Sequence, residues 1–479
     1  MNSVIIAVDI GTTSAKVLAV VSTGQVVAQR QVFYSTRYPL PAYAEQDADE
    51  ILAAVIASLK NIATQVDLSK VLGIVFSSAM HSVLAVNEQG EALTPLITWA
   101  DTRSSAEARQ IRSSAIALEL QHQTGTPVHP MSPLCKLMWM RESEPEVFKS
   151  AYKFISVKEF VWYHLTGEFS VDYSIASATG LFNIHKLQWH KPALKMAGIT
   201  EQSLSAPVPV EHQAGITNPD LSGYRHVPLM IGASDGCLAQ LGSDAMQPGI
   251  LTVTLGTSGA VRRSATRQLH DPSGRLFNYL LTGDTTVAGG ATNNGTAVMD
   301  WFIKAFATEN LATVVADVCT NIPAGSDGLL ALPFLQGERA PVYDPHARGV
   351  FFNVSMQHTR QHFARALLES ICYELKWIAE SVEFVCGVSD KVVVSGGITH
   401  FPGWLQMLAN VYNRTLIVSS GHDASAMGAA CLAFQTLQVP FKMTGHVHAV
   451  FKPDAGQVQY YEAGYRKFRE LYQAVHKLF

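Results

Sequence analysis

The sequence predicts an α/β protein of two lobes with related topology, and three observations carry that expectation. The chain has 479 residues, which at about 150 residues per domain allows roughly three small units or two larger lobes. Short β-branched runs alternate with segments at helical spacing, as in mixed sheets flanked by helices. An apolar strand running into a glycine and two hydroxyl residues occurs twice, as VIIAVDIGTTSAK and as ILTVTLGTSGAV. Each copy heads about half of the chain, which favours two related lobes over three unrelated domains.

The first thirty residues read as strand, glycine turn, strand, turn, strand, with β-branched residues on both sides of Gly11 and again around Gly24. Gly11, Thr12 and Thr13 match Gly256, Thr257 and Ser258 of the second copy. The boundary is expected near Gly242 to Gly249, giving lobes 1–244 and 245–479. In the second half, Lys391 to Ser395 is a short strand ending in Gly396 and Gly397. Beyond Pro402, the residues Trp404, Leu405, Leu408, Val411 and Tyr412 fall at helical spacing. A strand at Thr415 to Ser419, a turn at Gly421 and a small-residue helix from Ser425 follow. An amphipathic helix from Ala463 to Leu478 closes the chain.

Composition narrows the function. Apolar residues make up 48% and charged ones 15%, enough for packed cores and too apolar for wholesale disorder. A net charge of −4 lacks the Lys and Arg excess that phosphate-backbone binding needs, so neither nucleic acid nor an acidic membrane is an expected partner. The start runs from Met1 to Ser3 directly into a strand, which is not the pattern of a signal peptide. No segment sustains the roughly 18 apolar residues of a membrane span. Six cysteines, Cys135, Cys237, Cys319, Cys372, Cys386 and Cys431, stand singly and far apart; reduced thiols and a cytoplasmic location are expected.

Chemistry is expected first at the turn from Asp9 to Lys16. Glycine lets backbone N–H groups approach an anion, the hydroxyls donate, and Asp9 offers a hard oxygen for hydrated Mg²⁺. A plain hairpin is the alternative for one copy, but a second copy at Gly256 and Thr257 suits two turns that hold phosphates. The motif is not a GxxxxGK[ST] loop. Asp235 falls where a buried strand meets a glycine-rich helix, a position suited either to a general base or to a helix cap. Met80 and His81 follow one apolar strand, and Trp99, Asp101 and Arg103 follow another. That cluster suits a polyhydroxylated ligand, because each buried hydroxyl needs a partner. His358 and His362 have the spacing of a metal pair without a third ligand, so a solvated helix start is expected there. His446 and His448 are expected in loops, and Glu338 with Arg339 as an ion pair in a turn.

Taken together, DIGTTSAK, WADTR, MSPLCKLMWMRE with Lys136 and Trp139, Asp235, LGTSG, GERAP, GVFFNVSMQHTRQHFARALLESICYEL and VSGG resemble the FGGY family of carbohydrate kinases. The resemblance runs from Asp9 almost to the end; Ser143 departs from it, standing where the MSPLCKLMWMRE signature usually has an amide or acidic residue. It implies two actin-like (ribonuclease H-like) lobes with an ATP cleft between them. It further implies that Asp235 is the general base, that Asp9 and Asp235 serve Mg²⁺, and that Thr12, Thr13, Lys16, Gly256 and Thr257 hold phosphates. Gly396 and Gly397 would line the adenosine site and Asn294 would lie near the nucleotide. Met80, His81, Trp99, Asp101, Arg103 and Lys158 would serve the sugar. Within the family, SSAMHSVLAVNEQGEALTPLITWADTRS and ASATGLFNIHKLQWH are most similar to gluconate kinases, which implies ATP-dependent phosphorylation of D-gluconate to 6-phosphogluconate. Gluconate is an anion, and Arg103, Lys158 and Arg339 are the cations available to its carboxylate. Xylulose kinases are near neighbours, and a non-catalytic actin-like sugar sensor is the alternative of a different class. The expected partner is a small sugar or sugar acid, and a homodimer is compatible with this reading.

Overall fold

The computed structural model describes residues 3–265, 269, 271–306, 309–419, 423–443 and 447–479. The chain divides into two compact units. The first comprises Met1–Asp244, Ala265–Val287 and Asp423–Thr444; the second comprises Ala245–Ser264, Ala288–His422 and Gly445–Phe479. A division at 244/245 thus marks the first crossing only, and two later segments belong to the first unit. Local packing shows what anchors one of them. The helix Ala424–Thr436 lies so close to the helix Asp235–Gly242 that a Cβ on Gly428 would stand 1.9 Å from the Leu238 carbonyl oxygen, and one on Gly242 would stand 1.8 Å from that of Ala424. Only glycine permits backbones to approach so nearly.

The first unit is built on a six-stranded sheet. Its centre is the strand Val4–Ile10, antiparallel to Ser14–Val21 and parallel to Val71–Ser78. Ser14–Val21 pairs antiparallel with Val26–Phe33, and Val71–Ser78 pairs parallel with Leu229–Ser234. Almost every residue of the central strand is buried, as its continuous apolar run requires of a strand covered on both faces. The helix Ala48–Ala63 covers one face, sinking Ile51, Val55, Leu59 and Ile62 into the core. Asp47 caps it by accepting from the Asp49 and Glu50 amides.

The second unit repeats this order. Ile250–Leu255 is antiparallel to Gly259–Ala265 and parallel to Lys391–Ser395, which is parallel to Leu416–Ser419, itself antiparallel to Val447–Phe451. Hairpin, parallel neighbour, second parallel neighbour and antiparallel edge therefore recur in both sheets, and the repeated Gly-Thr sequence is the hairpin turn of each. His448 belongs to the edge strand rather than to a loop, whereas Gly421 and His446 lie outside the described residues. The expected helix after Pro402 spans Pro402–Tyr412. The last long helix begins before Ala463, running Ala455–Val475, because Asp454 caps it through the Gly456 amide at 2.9 Å.

Candidate active site

In the first unit, three adjacent parallel strands end in one row. Ile10 pairs with Ser78, and Ser78 pairs with Ser234, so Gly11, Ala79 and Asp235 are the next residues along neighbouring strands. The carboxyl edge of an α/β sheet is where backbone groups and loops open toward a ligand. Register alone thus brings the Gly11 turn, the start of the Met80–His81 segment and Asp235 to that edge.

The Gly11 turn is braced from several sides. Gly11 N–H donates to the Ser14 carbonyl at 3.0 Å, and its own carbonyl accepts from the Tyr34 hydroxyl at 2.5 Å. Gln46 donates to the Thr12 carbonyl at 2.6 Å, and the Trp99 indole N–H donates to the Thr12 hydroxyl at 2.9 Å. Trp99 therefore acts on the turn as well as lying beside the expected sugar residues. Asp9 accepts from Ser77 at 2.6 Å and from Ser425 at 2.8 Å. Burial pushes its carboxyl above the ordinary value, against the pull of those two hydroxyls. Lys16 is paired with Asp423, so its ammonium already has an anion.

His81 occupies the left-handed region at φ 67°, a strained conformation for a non-glycine residue and one that collects at functional sites. Its Nδ1 faces the Ala178 carbonyl at 2.7 Å and its Nε2 faces the Tyr279 hydroxyl at 3.3 Å. With Nδ1 donating to that carbonyl, Nε2 is the acceptor. Lys136, fully buried, donates to the carbonyls of His81 at 2.6 Å and Thr98 at 2.7 Å, with a longer bond to Ile97 at 3.5 Å. One ammonium thereby ties the His81 loop to the Trp99–Arg103 loop. Burial pulls its pKa down to about 7. Met80 packs half-buried against the adjoining apolar core.

Two of the expected sugar-site cations lie in ion pairs. Arg103 is bound by Asp101 at 2.7 Å and Glu45 at 2.6 Å, with its side chain only 3% exposed. Its guanidinium also lies 3.6 Å over the Tyr43 ring and 4.9 Å from that of Trp139. Asp101 is wholly buried and further accepts from the Ala44 amide at 2.7 Å. Both carboxylates are thus committed to holding the loop, and the arginine with them. Lys158 is likewise sealed, paired with Asp172 at 2.8 Å and donating to the Ala233 carbonyl at 3.0 Å. Each cation thus has a carboxylate partner within the protein.

Asp235 is the first residue of its helix, and Ser234 occupies the cap position without a side-chain cap bond. The Asp235 Oδ1 accepts from the Gly236 amide at 2.6 Å, and the residue stays partly exposed between fully buried Ser234 and Gly236. The strand before it is steadied by the Ser174 and Ser234 hydroxyls, 2.8 Å apart.

The second unit gathers its own set. Thr254 and Ser395 pair across the parallel strands, with their hydroxyls 3.1 Å apart, so Gly256 and Gly396 follow at neighbouring strand ends. A Cβ on Gly396 would lie 2.6 Å from the Leu255 carbonyl oxygen, and its φ of 89° suits glycine. The Gly256 carbonyl accepts from Thr296 N–H at 2.7 Å and the Thr257 carbonyl from Gly295 N–H at 3.1 Å. Gly256, Thr257, Asn294, Gly396 and Gly397 therefore belong to one cluster of turns. Asn294 is fully buried, donating to Glu338 and to the Gly337 carbonyl. Glu338 is buried and faces this network, and the Arg339 guanidinium donates to the Thr292 carbonyl at 3.0 Å. His358 and His362 sit at a helix start, His362 completing a capping box with Thr359. No group of three or more His, Cys, Asp or Glu able to hold a metal exists among the described residues.

Family models for the FGGY carbohydrate kinases match both parts of the chain: the amino-terminal domain over residues 4–242 and the carboxyl-terminal domain over residues 251–437. The chain belongs to the FGGY family of carbohydrate kinases. It is 37% identical over 447 residues to a gluconokinase from Bacillus subtilis, covering 90% of this chain and 87% of that one. The solved gluconate kinase from Lactobacillus acidophilus superposes with a TM-score of 0.94 at 28% identity, over 99% of this chain and 98% of that one. A ligand-bound xylulose kinase from the same organism superposes equally, with a TM-score of 0.94 at 29% identity over 99% and 98%. The actin-like, ribonuclease H-like two-domain architecture of this carbohydrate kinase is thus established, and no helix among its described residues is long and apolar enough to cross a membrane.

Several residues of this kinase's candidate site left no mark in the sequence. Asp423 and Ser425 reach Lys16 and Asp9 from more than 400 positions away. Tyr279 meets His81 from a segment that looked like part of the second lobe. Tyr34, Gln46 and Ser77 stand near enough in sequence, but nothing in their spacing distinguishes them from ordinary strand and loop residues.

Proposed function

We propose that the protein transfers the γ-phosphoryl group of ATP to the terminal hydroxyl of D-gluconate, giving 6-phosphogluconate and ADP. The observation that carries this reading is the row of strand ends that sets Asp235 beside the Asp9–Thr13 turn and the His81 loop. Asp235 would accept the hydroxyl proton as the new O–P bond forms and the bond to the departing ADP oxygen breaks; a positioned base of this kind is worth roughly 10²- to 10⁴-fold. The hydroxyls of Thr12, Thr13 and Thr257 would donate to phosphate oxygens, with Gly256 leaving room for their approach. Asp9, a hard oxygen donor whose carboxylate is oriented by the Ser77 and Ser425 hydroxyls, would hold Mg²⁺, which would neutralise phosphate charge. Gluconate is favoured by the greater identity to a gluconokinase. Arg103, Lys158 and Arg339 are the cations proposed for the acid group of gluconate.

A second reading, xylulose as acceptor, is supported by the equally close fold of a xylulose kinase. ADP release measured over a panel of sugars and sugar acids, with and without Mg²⁺, separates these readings. Gluconate giving the largest kcat/KM supports the proposal, xylulose giving it supports the second, and nucleotide binding without any sugar-dependent ADP release would indicate a sensor.

A further inference from the structure

The Trp99 indole N–H donates to the Thr12 hydroxyl at 2.9 Å, joining residues 87 positions apart. An indole nitrogen can only donate, so the Thr12 oxygen is the acceptor and its own proton is turned away from the ring. Both ends of this bond are held by one short strap, residues 42–46. Gln46, buried, donates to the Thr12 carbonyl at 2.6 Å and to the Thr36 hydroxyl at 3.0 Å. The Ala44 carbonyl accepts from the Thr98 amide and the Thr98 hydroxyl, each at 3.0 Å, and the Ala42 carbonyl accepts from the Thr102 amide at 2.9 Å. Lys136 holds the Thr98 carbonyl as well, at 2.7 Å. Thr12 and Trp99 themselves stay half-buried.

We infer that Trp99 is a positioning residue for the phosphate turn: its indole N–H fixes the Thr12 hydroxyl so that the hydroxyl proton is aimed at a nucleotide phosphate oxygen. This role rests on the phosphate contact proposed for Thr12, and it gives the tryptophan a task that contact with a sugar does not supply. A hydroxyl proton rotates to suit whichever acceptor is near. Here one direction is closed to it, and a donor already aimed needs no reorganisation when the anion arrives. With a phenyl ring in place of the indole, Thr12 would keep its oxygen and lose its orientation.

Calorimetry without sugar measures the affinity for Mg²⁺ and the ATP analogue whose β–γ bridging oxygen is replaced by nitrogen. The proteins compared are wild type, Trp99→Phe, Thr12→Val and the double variant. Each single change is expected to weaken binding about tenfold. The double variant should bind no more weakly than Thr12→Val, because without the hydroxyl the indole N–H has nothing to orient. In a Thr12→Ser background, which restores the oxygen, Trp99→Phe should again cost about tenfold. Wild-type affinity in Trp99→Phe overturns the proposal. So does a double variant that loses the product of the two single effects, about a hundredfold, as mere support of the loop would give. Wild-type affinity in Thr12→Val would instead remove Thr12 from phosphate binding, and the role of Trp99 with it. Because no sugar is present, the preference for gluconate or xylulose can fail without touching this result.

Discussion

Lys158 bonds Asp172 at 2.8 Å with both side chains sealed from solvent, and its second bond, to the Ala233 carbonyl, falls two residues before Asp235. The pair supports the strand that delivers the candidate base. Removing one partner leaves a buried charge alone, which costs about 3–5 kcal/mol. Lys158→Met should lose that much stability in urea denaturation, and Lys158→Met with Asp172→Leu should recover most of it. A single variant as stable as wild type would show that the pair carries no structural burden.

Asp235 follows the strand end of the row and is partly exposed, its carboxylate accepting from the Gly236 amide at 2.6 Å. Asp235→Asn should leave the melting temperature and ATP affinity essentially unchanged while kcat falls by roughly 10²-fold or more. Near-normal turnover would remove this carboxylate from proton transfer.

The ammonium of Lys136 joins two loops through three carbonyls, and its pKa of about 7 lies within reach of mild alkali. A neutral amine keeps two N–H groups and cannot serve all three acceptors. The KM for the sugar substrate is expected to rise between about pH 6 and 8 as the proton leaves. In Lys136→Met that KM should be high and independent of pH, with the KM for ATP little altered. A pH-dependent KM surviving in the variant would assign the titration elsewhere.

Two glycines offer a paired test. A Cβ on Gly256 meets nothing within 4 Å, so Gly256→Ala should fold normally yet raise the KM for ATP, since the added methyl stands where a phosphate would approach the turn. A Cβ on Gly428 meets the Leu238 carbonyl at 1.9 Å. Gly428→Ala should therefore lose about 1–3 kcal/mol of stability, as overpacking does. Thermal unfolding and ATP kinetics on both variants separate a binding role from a packing one.

Much of this was legible in the chain because strand-and-turn patterns are local. The DIGTTSAK and LGTSG hairpins, the Lys391–Ser395 strand and the Asp235 junction each depend on neighbours within ten residues, and each lies where the pattern places it. Roles that depend on distant partners were not legible. Arg103 and Lys158 look like free cations until Glu45, Asp101 and Asp172 are brought against them. Charge type shows in sequence; whether a charge is already satisfied is decided by tertiary packing.

The close crossing of the helices Asp235–Gly242 and Ala424–Thr436 has a consequence for biogenesis. The amino-terminal unit holds its central strand early, but the partner helix that covers it ends at residue 436 of 479. During translation that unit must therefore wait, with an apolar flank open, until about nine-tenths of the chain has left the ribosome. Nascent chains stalled before Ala424 should be bound by chaperones and cut readily by protease, and release beyond Thr436 should end both vulnerabilities together.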